Sequence, residues 1–216
     1  MKKTIHFFGD SFTFGHTLNH TNHIWPKIIH KSLKGYEYKN YAIPGASPLF
    51  IIKQIIDNIS NIKKNDIVFL LETIPNRIEV YSKKDNKIVP VTNSEIVEIY
   101  ENKRFDKLYS LNEIKSVIDF MMYVRDDNLN EFSKFYNSIN KNFLNYIDTI
   151  CEKTIQIPWN ITFDNIKDRR FETFEMILKN EKNNGHLTIK GNYQLSEYIN
   201  KKYFNNELNL EKNYYI

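Results

Sequence analysis

Cysteine is nearly missing from this chain. The single Cys151 excludes an intrachain disulfide framework and any multi-cysteine metal site. Long apolar runs are missing as well, and no uninterrupted stretch approaches the ~18 residues of a membrane span. Lys2-Lys3 followed by Ile5–Phe8 has the outline of an export leader. That run contains His6 and stops at Gly9-Asp10, far short of the ~7–15 apolar residues of a leader core. A cytoplasmic protein with no membrane partner is expected. An excess of one charge is also lacking. Thirty basic residues face 26 acidic ones, and no basic run exceeds two, so no nucleic-acid partner is expected. Glycine and proline number only six each, so each glycine must justify its place.

What is present is enough apolar sequence to build a core. Hydrophobic residues make up 41% of 216, which suits one compact domain rather than a disordered tail or two full domains. Thr4–Phe8 reads as a short strand stopped by Gly9-Asp10-Ser11. Ile24, Trp25, Ile28, Ile29 and Leu33 share a helical face, with Pro26 in the first turn and Gly35 as the stop. Tyr36–Ala42 reads as a second strand, and Pro44-Gly45 as a turn. Ser47-Pro48 opens a helix as N-cap and first residue, with apolar positions from Leu49 to Ile62. Asp66–Glu72 is a continuous apolar run of the kind found in buried parallel strands. Strand, helix, strand, helix, strand with short connections predicts an α/β fold: a parallel sheet with helices on both faces.

Further on, Ile88-Val89-Pro90-Val91 reads as a small edge strand because of its proline. Ser94–Tyr109 and Asn112–Val124 read as helices. Residues 77–125 are therefore expected to form an insertion or lid. Asp126–Lys153 reads as a long amphipathic helix whose aromatic stripe (Phe132, Phe135, Tyr136, Phe143) packs in the core or under the lid. Thr154–Pro158 is the next strand, Arg170–Asn180 a short helix, and Thr188–Phe204 the closing helix.

In such sheets ligands sit outside the carboxyl ends of the strands. Three loops attract attention. The first is Gly9-Asp10-Ser11-Phe12-Thr13-Phe14-Gly15. A serine between a strand end and a helix start is expected on a sharp turn, with its hydroxyl exposed and its own N–H free, which suits a nucleophile. Read alone, Asp10 or Ser11 as a turn cap is the plainer explanation. The second loop is Asn40 to Ser47, where Gly45 permits close backbone approach and can aim its N–H at an anion. The third runs from Asn183 to Asn192 and places His186 ahead of the last helix. A histidine alone in a loop is more often solvated or structural.

Taken together and in this order, GDSFTFG, N-x4-G and GHLTxxGN resemble the SGNH (GDSL-type) hydrolase family. The resemblance implies a three-layer, flavodoxin-like fold and ester hydrolysis through an acyl-enzyme. It implies Ser11 as nucleophile, His186 as general base, and the amides of Ser11 and Gly45 as oxyanion donors. No cofactor or metal is implied, and the expected partner is a small-molecule or glycan ester.

Two departures from the family pattern stand out. Its Gly-x-Asn block after the third strand reads Glu72-Thr73-Ile74-Pro75-Asn76-Arg77 here. Either Asn76 serves as the third oxyanion donor with a one-residue shift, or that donor is missing. Asp10 and Arg77 are candidate substrate-binding residues; Arg77 suits an anionic or polar group, and a surface or loop-bracing arginine is an equally good reading of it. The family's aspartate before the histidine is replaced by Asn183 and Asn184. An asparagine carbonyl can orient the imidazole but cannot stabilise an imidazolium by charge. A Ser-His dyad, a carboxylate from Asp164, Asp168 or Glu181, and deamidation of Asn184 are the other arrangements left open. His16, His20 and His23 lack acidic or cysteine neighbours, so a polar loop is favoured over a metal site. The expected function is an esterase, with a carbohydrate O-acetyl group as one substrate. A glycan- or acyl-binding relative without turnover, and an O-acyltransferase, are the rival readings.

Overall fold

The computed structural model describes residues 2–15, 18, 21–73, 77–82, 87–91, 129–158, 187 and 189–210. Four parallel strands make the main sheet: β1 (Lys3–Phe8), β2 (Tyr36–Asn40), β3 (Ile67–Leu71) and β6 (Lys153–Ile157), in the spatial order β2-β1-β3-β6. In register, Ile5 lies between Tyr38 and Ile67, and Phe69 pairs with Ile155. The helices are α1 (Ser11–Phe14), α2 (Trp25–Ser32), α3 (Pro48–Asn58), α4 (Leu129–Asp148) and α5 (Ile189–Tyr203). A separate antiparallel hairpin pairs β4 (Ile78–Ser82) with β5 (Lys87–Val91).

Strand alternation divides the core into two layers. On one face Ile5, Phe7, Ile67, Phe69, Ile155 and Ile157 pack with Trp25 and Ile29 of α2 and Leu195 and Ile199 of α5. On the other, Phe8, Val68 and Leu70 pack with Phe50, Ile51 and Ile55 of α3 and Leu144 and Ile147 of α4. Both faces of β3 are therefore covered, which is why its sequence is an unbroken apolar run. Phe7 anchors the first layer between Trp25, met edge-on at 5.3 Å, and Phe69, stacked at 5.0 Å. Each fully buried side chain of this size stabilises the fold by about 1.5–3 kcal/mol.

The three-layer α/β architecture agrees with the reading from sequence. Several boundaries move, each for a local reason. The second strand ends at Asn40 rather than Ala42: Tyr41 N still donates to Phe7 O at 2.9 Å, but Ala42 N turns to the Asn40 side chain, whose Oδ1 accepts it at 3.1 Å while its Nδ2 donates to Thr13 O at 2.9 Å. The long helix stops at Asp148, not Lys153: Asp148 Oδ1 accepts from Thr154 N at 2.8 Å, and Lys153 joins the ladder opposite Ile67. Phe135 is 57% exposed and not part of the core stripe, whereas Phe143 packs against the second layer. The proline-bearing edge strand is present as β5, but its partner β4 has no counterpart in the sequence reading. The helices expected at 94–109, 112–124 and 170–180 lie outside the described residues.

Candidate active site

A parallel sheet opens all its carboxyl ends on one rim. In the order β2-β1-β3-β6 the connections leave in opposite directions from β1 and β3, so the switch point lies between these two strands. The residues that follow them meet there. Asp10, after β1, is 2% exposed and caps α1: its Oδ1 accepts from Phe12 N at 3.0 Å. Its Oδ2 accepts from Thr73 Oγ1 at 2.9 Å, which follows β3, and from Arg77 Nη1 at 2.5 Å. Arg77 also donates to Thr73 Oγ1 at 2.7 Å and makes a long contact of 3.5 Å with Ala46 O. A buried carboxylate needs such donors and a cation to offset its lost hydration.

Ser11 is the first residue of α1. It is 3% exposed, and its Oγ has no hydrogen-bond partner among the described residues. The hydroxyl is thus enclosed, a correction to the exposed position expected from the turn alone. Its amide is at the helix start, where no intrahelical acceptor exists, and it makes no hydrogen bond to a described residue. Gly9 makes the approach possible: a Cβ there would lie 2.3 Å from Thr13 Oγ1 and 3.2 Å from Leu71 O.

The second loop is bound tightly to the first. Gly9 O accepts from Ile43 N at 3.2 Å, and Asn40 reaches Thr13 O as described above. Ile43-Pro44-Gly45-Ala46 closes as a β-turn, with Ala46 N donating to Ile43 O at 3.1 Å. Proline second and a glycine at φ 79° third is the pattern of a type II turn, which requires a residue tolerant of positive φ at that place. The Gly45 amide, like that of Ser11, makes no hydrogen bond to a described residue. Ser47 then caps α3 as expected: its Oγ accepts from Phe50 N at 3.1 Å and donates to Glu79 Oε1. Phe14 and Leu49, on the segments that leave β1 and β2, are 48% and 45% exposed and add apolar surface to those segments.

Of the third loop, Leu187 and the helix from Ile189 are described. Asn192 is 1% exposed; its Oδ1 accepts from Trp25 N at 2.8 Å and its Nδ2 donates to Leu187 O at 3.3 Å. His186, Asn76, Asn183 and Asn184 lie outside the described residues, as do His16, His20, Asp164, Asp168 and Glu181. His23 sits in a single 3-10 turn at Thr21–His23. The structure therefore brings Asp10, Ser11, Thr73 and Arg77 together at the switch point and joins the Gly45 loop to them. Thr73 and Glu79 were not singled out from sequence. Thr73 stands in the block that departs from the family pattern and Glu79 belongs to no pattern; both act through pairing across the fold. Among the described residues no helix is long and apolar enough to cross a membrane.

No family model matches the chain, and no curated protein matches it. Among solved structures it is similar to a member of the lipolytic G-D-S-L family from Veillonella parvula, with 13% identity over 94% of this chain and 98% of that one and a TM-score of 0.43. A putative lipolytic protein of the G-D-S-L family from Desulfitobacterium hafniense shares 15% identity over 92% and 98%, with a TM-score of 0.42. An acetyl xylan esterase shares 12% over 93% and 99%, also at 0.42.

Proposed function

We propose that this chain is an ester hydrolase of the SGNH type, with Ser11 as its nucleophile and an O-acetylated carbohydrate as the favoured class of substrate. The observation that carries the reading is the enclosed, unpartnered Ser11 hydroxyl beside its own uncommitted amide, at the switch point of a parallel sheet. The ordered loops GDSFTFG, N-x4-G and GHLTxxGN support it from the sequence.

In this mechanism His186 takes the Ser11 proton as Oγ attacks the acyl carbon. The carbonyl electrons move onto oxygen, where the amides of Ser11 and Gly45, with Asn76 as third donor, offset the charge. Collapse expels the alcohol, which takes the proton back from His186. Water then attacks the acyl-enzyme and releases the acid. Asn183 or Asn184 orients the imidazole through its carbonyl. Such an arrangement lacks the carboxylate that stabilises imidazolium, so turnover is slow; in a serine protease the corresponding change costs ~10⁴.

The test is hydrolysis of a short-chain aryl acetate together with labelling by a serine-directed phosphonate. Slow release of acid and a single adduct on Ser11, both lost in Ser11→Ala, are expected. Equal inactivity of both proteins and no adduct would remove the esterase reading. Glycan binding that survives Ser11→Ala would then favour a binding relative.

A further inference from the structure

We propose that Arg77 and Glu79 are positioning residues, a two-point clamp by which the β4–β5 hairpin sets the nucleophile turn against the Gly45 turn. This rests on the esterase reading for its catalytic consequence, though not for its geometry. Residues two apart on an extended chain present their side chains to the same side. Arg77 immediately precedes β4 and Glu79 lies within it. The two grip different helix N-caps. Arg77 Nη1 holds Asp10, the cap of α1, and Glu79 Oε1 accepts from Ser47 Oγ, the cap of α3. Asp10 directly precedes Ser11, and Ser47 is two residues beyond Gly45. The clamp therefore takes hold beside both amides assigned to the oxyanion, and the contact from Arg77 to Ala46 O lies between its two points.

Charge and burial make this arrangement specific. The Asp10 side chain is 2% exposed and that of Arg77 13%, so the ion pair is shielded and its guanidinium is not a freely solvated group. Thr73 Oγ1 donates to Asp10 and accepts from Arg77, which closes a three-membered ring of hydrogen bonds at the end of β3. The Nη1 edge of Arg77 is thereby committed to protein acceptors, which favours a positioning role over substrate binding. Glu79 has a further neighbour, since its charge is among the influences that raise the Tyr136 hydroxyl pKa, after burial.

The experiment compares wild type with Arg77→Met, Arg77→Lys, Glu79→Ala and Glu79→Gln. It measures kcat and KM on the aryl acetate, and backbone hydrogen exchange in peptides covering 9–15 and 43–50. Arg77→Met is expected to lower kcat by ~10²-fold with little change in KM, as a small displacement of reacting groups does. It should speed exchange in both peptides, and added guanidinium should restore part of kcat. Glu79→Ala should act in the same sense on 43–50, with Glu79→Gln recovering part of the loss because it keeps an acceptor for Ser47. Arg77→Met leaves Asp10 without its cation and can fail to fold; Arg77→Lys and the Glu79 pair then carry the test. Unchanged exchange in both peptides, or faster exchange with unchanged kcat, overturns the clamp. An inactive, unlabelled wild type with faster exchange in the variants leaves the clamp standing and removes the esterase reading.

Discussion

Asn192 Oδ1 accepts the amide hydrogen of Trp25 at 2.8 Å, joining residues 167 positions apart. The N-cap position of α2 is Ile24, which has no side chain able to do this, so α5 supplies the missing acceptor. The same Asn192 donates to Leu187 O, the residue after His186. One buried amide thus starts a core helix and holds Leu187, the next residue in sequence after the candidate base. Asn192→Ala is expected to cost about 1–3 kcal/mol, because a buried N–H loses its acceptor. For a chain of this length that is roughly 2–4 °C in Tm per kcal/mol. Thermal unfolding measures the first effect, and the rate of phosphonate labelling at Ser11 the second. A wild-type Tm would contradict the capping role.

His6 forms a second long-range pair. Its side chain is fully buried, and its Nε2–H donates to Asp66 Oδ2 at 3.0 Å. Burial pushes the imidazole pKa below its ordinary value, and the carboxylate opposes this only in part. The folded ring therefore takes up a proton at lower pH than the unfolded one, which protonates near 6.5. Above about pH 6.5 both states are neutral and nothing is lost. As pH falls below that value the unfolded state takes up the proton first, and stability declines until the folded ring protonates too. His6→Gln keeps a donor and does not titrate. Denaturation midpoints at pH 7.5 and 5.0 should therefore fall further on acidification in wild type than in the variant. Parallel losses would contradict this assignment.

Gly9 leaves no room for a side chain beside Ser11. A methyl group there would come within 2.9 Å of Thr13 Cβ and 3.2 Å of Leu71 O, neither of which is a flexible chain end. Gly9→Ala should cost about 1–3 kcal/mol through overpacking and shift Ser11. The expected result is a lowered Tm with esterase activity falling by more than the loss of folded protein accounts for. Activity in proportion to folded protein would contradict the displacement of Ser11.

Much of this was legible in the sequence because local rules and the global fold agree. The run at 67–71 is apolar on both faces because it lies in mid-sheet, and Ser47-Pro48 starts a helix for reasons internal to its own turn. Gly45 was legible for the same reason, since a Pro-Gly pair at the centre of a turn has few conformations to choose from. What escaped was pairing at a distance. Nothing near Arg77 announces that its guanidinium meets Asp10, 67 positions earlier, or that Glu79 meets Ser47. The end of α4 escaped because the apolar period continues past Asp148; only the ladder with β3 decides that Lys153 is strand. The enclosed Ser11 hydroxyl is likewise a matter of packing, which a turn motif does not encode.

All four strands of the main sheet run the same way, and that divides the molecule's burdens. Asp66 lies at the edge where the strands begin, and the His6 ring reaches it from the middle of β1, so substitutions of either should register in melting curves. Ser11 and Gly45 sit at the edge where the strands finish; removing the Ser11 hydroxyl should leave the melting curve in place, whereas changes at the bracing Gly9 and Arg77 should register there too. A mutational survey of this protein should therefore find its substitutions that are silent in melting curves, yet affect the proposed activity, at that second edge, a sorting that needs no knowledge of the substrate.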